Sequence, residues 1–216
     1  MQRSELKDFL EEKYDLYNRK EFINSDPVQI PHLFFNPENI EIAGFLSATI
    51  AWGQRKTIIK NMHNLIERMS GNPYQFIMEA SENDLKDFLD FKHRTFNGTD
   101  CIFFLKALKN FYLKNRSMKN FFEKNYQVKA DLKDVMIGFR NEFFELPHEK
   151  RTEKHFANIA ESASGKRLNM FLRWMIRKDD RGVDFGLWSV PASSLYMPVD
   201  VHSGNVARKL GLLKRK

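Results

Sequence analysis

The chain has 216 residues, 42% of them hydrophobic and 29% charged, with a formal net charge of +7 and a pI of about 9.4. That length suffices to bury a sizeable core. No stretch approaches the apolar length of a membrane helix, and Cys101, the sole cysteine, excludes an internal disulfide and a four-cysteine iron–sulfur cluster. The basic balance suits an anionic partner such as nucleic acid without demanding one.

The first twenty residues mix acids with bases and have no apolar centre, so they do not read as a signal peptide, and a cytoplasmic setting is the default. Residues 4–19 predict an amphipathic helix with Leu6, Phe9, Leu10, Tyr14 and Tyr17 inward. Residues 20–35, with Pro27 and Pro31, predict an extended connector. Asn36-Pro37-Glu38 is a helix start, and the segment that follows is apolar nearly all round, which predicts a buried helix ending near Gly53. Gln54-Arg55-Lys56-Thr57 opens the next helix, through Arg68.

Asn72-Pro73 and Ser81 begin two short helices, to about Ala80 and Phe88. The run Phe91 to Gly98 contains His93 and Arg94 between aromatics. It could hold a backbone phosphate or stack a base, or equally tuck its aromatics into the core. A helix from about Thr99 to Lys114 carries Ile102, Leu105, Leu108, Phe111 and Tyr112 as its core stripe, with Cys101 an inert thiol beside it. Residues 117–125 and 131–145 predict two more helices, the second capped by Asp131. His148 and His155 lack metal-ligand spacing and read as surface residues. A short helix from about Glu153 to Ala160 follows. No strand-like alternation, internal repeat or low-complexity tract interrupts the series, so the expected fold is all-α, with neither metal nor cofactor.

The most informative stretch runs from Ser164 to His202. Leu168, Phe171, Leu172 and Met175 fall at i, i+3, i+4 and i+7, one apolar face of a helix with Ser164 as its expected cap. Lys166 projects from the other side with Asn169, Arg173 and Arg177, in a first turn where the helix dipole disfavours a cation. By itself Lys166 is a solvated lysine. Asp200 follows an apolar approach from Leu195 to Val199 and precedes a short helix to Leu210, which it or Ser203 caps.

The pattern Lys166, Phe171-Leu172-Arg173, then Val199-Asp200-Val201-His202 resembles the helix-hairpin-helix DNA glycosylase superfamily, nearest its archaeal-type 8-oxoguanine branch. The whole chain is similar to a bacterial family within it that carries no assigned function. The resemblance implies a two-lobed helical fold: a single domain over 1–216, with a lobe-completing segment at 1–35 and a helical barrel with its hairpin at about 36–210. The resemblance also implies further helices that close the lobe after Asp200, and the expectation is that they are missing here. It further implies Lys166 as nucleophile and Asp200 as assisting carboxylate, in base-excision repair of a damaged base flipped out of duplex DNA, with possible strand cleavage at the abasic site through a lysine Schiff base.

DNA contacts implied by the resemblance fall on Gln54, Arg55, Lys56, His93, Arg94, Ser164, Gly165, Arg167 and His202. Gln54 either fills the gap left by a flipped base or is a plain polar helix start, and the two readings stand level. The chain departs from the family in keeping one hairpin glycine, Gly165, in place of two. It also inserts Asp179–Ser194 between Lys166 and Asp200, a loop expected to line a pocket through Phe185 and Trp188 or to block one. Arg167 adjoins Lys166, and if it held the reacting position no Schiff base could form. The alternative is a nucleic-acid-binding protein of the same fold without the chemistry.

Overall fold

The computed structural model describes residues 2–215. Among them the fold is all-α, and the sole β-type pairing is an isolated bridge between His93 and Phe96. The helices are α1 (Arg3–Tyr17), α2 (Lys20–Ile23), α3 (Pro37–Thr49), α4 (Arg55–Arg68), α5 (Pro73–Glu79), α6 (Gly98–Asn115), α7 (Met118–Lys129), α8 (Leu132–Phe143), α9 (Lys166–Ile176) and α10 (Val201–Lys209). None is long and apolar enough to cross a membrane.

Helix α3 is the axis of the molecule. The Asn36 side chain accepts the N–H groups of Glu38 at 2.9 Å and Asn39 at 3.1 Å, and Pro37 supplies the first turn. From Asn39 to Thr49 every residue is buried, as a helix apolar all round requires. Gly44 lets α9 close on it: a Cβ there would stand 3.2 Å from Met175 Cε and 3.4 Å from the Phe171 ring. Phe45 is the hub of the aromatic core, its ring 5.4 to 6.2 Å from those of Phe104, Phe139, Phe143, Phe156 and Phe171. Each such side chain contributes about 2–3 kcal/mol by burial, so α6, α8 and α9 are held to α3 through one contact set.

A charged residue is also drawn in. Glu41, 1% exposed, accepts from the Tyr112 hydroxyl, the Trp188 indole N–H and the backbone N–H groups of Met118 and Lys119, all at 2.7 to 2.9 Å. Burial holds its carboxyl above the usual carboxylate range despite these donors.

Several expectations are corrected. Helix α1 buries no residue, and Leu10 and Tyr17, expected inward, are exposed. Residues 20–35 are not extended: after α2, 3₁₀ turns at Pro27–Gln29 and Pro31–Leu33 carry Val28 and Ile30 into the core, because Asp26 caps the first turn through Val28 N–H at 3.1 Å and each proline opens one. Helix α3 stops at Thr49 rather than Gly53, and α7 runs to Lys129 rather than 125. In place of a helix over 153–160 there are 3₁₀ turns at Lys150–His155 and Ile159–Glu161. The cause is Asp100, fully buried, which takes the Thr152 hydroxyl at 2.8 Å and His155 Nε2 at 3.1 Å. His155 is therefore a core residue, not a surface one. The inserted segment 179–194 sends three side chains into the core: Val183, Trp188 and Val190 are buried, and Trp188 stacks on Phe122 at 4.7 Å.

Candidate functional site

The site is built on the turn that precedes α9. Ser162 and Gly165 both adopt left-handed backbone conformations, with φ of +67° and +57°. Gly165 occupies the cap position, so Ser164, expected there, lies one place too early. A side chain at Gly165 would meet Ile159 Cδ1 at 2.9 Å. Asn169, buried one turn into the helix, reaches back to donate to the carbonyls of Ser164 at 3.3 Å and Gly165 at 3.1 Å. Glycine thus makes the turn possible and asparagine fixes it.

The two cations that follow diverge. Lys166 forms an ion pair with Asp200, 34 residues on. Arg167 turns the other way, donating to the Thr49 carbonyl at the C-terminus of α3 and lying over the Trp52 ring at 4.8 Å. That carbonyl end carries the negative pole of α3 and suits a guanidinium, whose pKa burial lowers. Lys166, not Arg167, is therefore the residue presented to Asp200.

Asp200 divides its oxygens. One accepts the N–H of Ser203 at 2.8 Å and its hydroxyl at 2.9 Å, capping α10, while Ser203 returns the bond to Asp200 N–H. The other oxygen takes Lys166. The Lys166 ammonium beside it and the Ser203 N–H hold this carboxyl far below the usual range. The lysine side chain is 61% exposed and the aspartate 38%, so burial does not desolvate the amine here. Lys166 stands at the wall of a cavity of about 210 Å³, together with Thr49, His155, Ala163, Ser164 and Phe171.

Trp52 is the residue the sequence did not single out. Its ring meets His93 edge-on at 4.9 Å, lies near parallel to His155 at 5.7 Å and carries Arg167 on its face. It thereby joins the turn after α3, the 93–94 turn and the start of α9. The Ala51-Trp52-Gly53 step just past an all-apolar helix was the available signal. Gly53, at φ +106°, leaves room for the Arg94 guanidinium, which a Cβ would approach to 2.9 Å. Arg94 has a left-handed backbone and is exposed.

His93 is buried and engaged within the protein, Nε2 against the Trp52 carbonyl at 3.0 Å and Nδ1 against Asn61 at 2.9 Å. Desolvation lowers its pKa. Gln54 caps α4 by position only, since its side chain makes no cap bond. Arg55 lies over Phe22 at 5.8 Å. Lys56 is exposed, as are Ser164 and His202, the last within the first turn of α10. Arg55 and Lys56 form no ion pair with Asp200, whose partner is Lys166. Phe185 packs on His32 at 4.3 Å, and neither it nor Trp188 lines the Lys166 cavity.

A family model described as a protein of unknown function (DUF2400) matches residues 26–216. No curated protein and no solved structure matches the chain.

Proposed function

The chain belongs to the DUF2400 family; from that premise, which assigns no chemistry, we propose that it is a DNA base-excision glycosylase with abasic-site lyase activity, of helix-hairpin-helix type. One observation carries the reading. A lysine at the first position of a helix entered by a tight glycine turn meets an aspartate from another helix cap, beside a cavity. On this reading the chain acts as a single helical domain, with duplex DNA containing a damaged base or abasic site as its partner.

In the reaction, Lys166 Nζ gives up its proton to solvent and adds to C1′ of the flipped nucleotide as the glycosidic bond breaks; the C1′ nitrogen then sheds a proton, which the departing base takes up. The sugar ring opens to leave a C1′ imine on Lys166. Loss of a C2′ proton to water then forms the C2′–C3′ double bond and breaks the C3′–O bond, and the 3′ strand leaves with its phosphate. Asp200, through the oxygen that the helix cap leaves free, stabilises the positive charge that develops on the sugar. First-turn N–H groups of α9, which no side chain caps, face the approaching phosphate. Gln54, Arg94 and Ser164 contact the strand around the flipped base, and Arg167 holds the turn in place through Thr49 and Trp52.

A second reading, a DNA-binding protein of the same fold without the chemistry, is favoured by the exposure of the Lys166 amine. Borohydride trapping on a duplex with an abasic site separates the two. The glycosylase–lyase reading expects a covalent adduct in the parent and in Arg167→Ala, and none in Lys166→Ala. Duplex binding by a folded parent with no adduct would leave the binding protein.

A further inference from the structure

We infer that the trough beside the Lys166 cavity, edged by Lys150 and Lys154, is a track for the sugar–phosphate backbone of the strand that enters that cavity. The inference rests on the nucleic-acid reading above and assigns it a second surface. The trough, of about 570 Å³, and the cavity share the walls formed by Phe156, Ala157, Ala163 and Arg167. A strand leaving Lys166 past Ala163 therefore passes directly from one into the other.

The charge of the trough selects an anion. Arg140, Lys150, Lys154 and Arg167 line it, against Glu153 and Glu161. Arg140 pairs with Glu153 at 2.6 Å and also donates to the Phe156 carbonyl at 3.1 Å, so that acid is already compensated. Lys150 and Lys154 form no ion pair among the described residues, and both are exposed. Glu161 is the remaining opposing charge.

The support beneath these lysines is rigid. They belong to the 3₁₀ turn Lys150–His155, and three residues of that turn are bound to the buried Asp100: Arg151 at 2.8 Å, Thr152 at 2.8 Å and His155 at 3.1 Å. The floor offers alanine and a buried phenylalanine, with no exposed aromatic face for a base to stack on. Point charges over such a floor follow a phosphate chain without reading its sequence.

The test compares the parent with Lys150→Glu/Lys154→Glu and with a control of equal charge change elsewhere, Lys86→Glu/Lys124→Glu. Binding to an abasic-site duplex is followed by fluorescence anisotropy across a salt series, beside borohydride trapping at saturating protein. The trough variant is expected to bind about tenfold or more weakly at low salt, with a log–log salt slope shallower by about 2. It should still trap once saturated, and the control should keep the parental slope. A trough variant that melts like the parent and keeps its affinity and slope overturns the inference while leaving the function reading intact. A parent that binds no nucleic acid overturns both.

Discussion

Trp188 donates its indole N–H to Glu41 at 2.8 Å, across 147 residues of sequence. The contact ties the 179–194 segment to the buried helix α3. It also makes Glu41 the acceptor for four donors from three separate segments. Replacing Glu41 by Ala strands all four in a site 1% exposed and should cost about 3–5 kcal/mol in urea unfolding. Glu41→Gln keeps one oxygen but turns an amide toward two of the donors, and about 1–3 kcal/mol is expected. Equal stability of Glu41→Ala and the parent would disprove the arrangement.

Two glycines exclude a side chain with unequal force. At Gly98 a Cβ would lie 2.1 Å from the Leu89 carbonyl oxygen, a backbone atom that cannot swing away, so Gly98→Ala should lose more than about 3 kcal/mol or fail to fold. At Gly165 the conflict is with the flexible end of Ile159 and with a left-handed φ, for which about 1–2 kcal/mol is expected. Melting curves of the two variants should rank in that order.

Burial holds His155 well below the ordinary histidine range, at about 4, although Asp100 opposes it. His93 is shifted the same way by desolvation. A histidine with a lowered folded pKa stabilises fully above its unfolded value near 6.5 and loses that contribution as pH falls towards 4, since the unfolded chain takes the proton first. His155 alone should account for about 2–3 kcal/mol between pH 7 and pH 4.5. Unfolding free energies measured across that window should fall less steeply in His155→Gln, and parallel curves would count against the assignment.

Arg167 is predicted to be structural. Removing it takes away the donor to Thr49 and the cation on Trp52, for about 1–2 kcal/mol of stability. Thermal melting of Arg167→Ala should show that loss, and a melt identical to the parent would contradict it.

Local patterns carried much of the architecture. The 3.6-residue spacing of Leu168, Phe171, Leu172 and Met175 marked α9, and all four are buried as that spacing requires. Asn36, Asn72 and Asp131 cap the helices they precede. What local pattern could not supply was the fate of polar groups that find partners far away. His155 looks like a surface histidine until Asp100, 55 residues earlier, is beneath it. Trp188 was expected to line or block a pocket, yet Glu41, 147 residues earlier, draws it into the core. Helix α1 errs the other way: its apolar spacing is real, but it buries no residue. At the site, Lys166 and Asp200 were marked by a family pattern, and each belongs to a separate helix start that sequence could locate. Trp52 was hidden because its partners come from three segments with no common sequence signal.

The division of Asp200 between its two oxygens constrains how position 200 can drift. Any residue there has to begin α10 as well as face Lys166, and only short polar side chains do the first. Asn, Ser or Thr at this position would silence the charge and keep the helix, whereas Ala or Val would remove both. Relatives with those polar residues opposite a retained lysine would keep the start of α10 without the ion pair, whereas an apolar residue at this position would signal that α10 itself had been rebuilt.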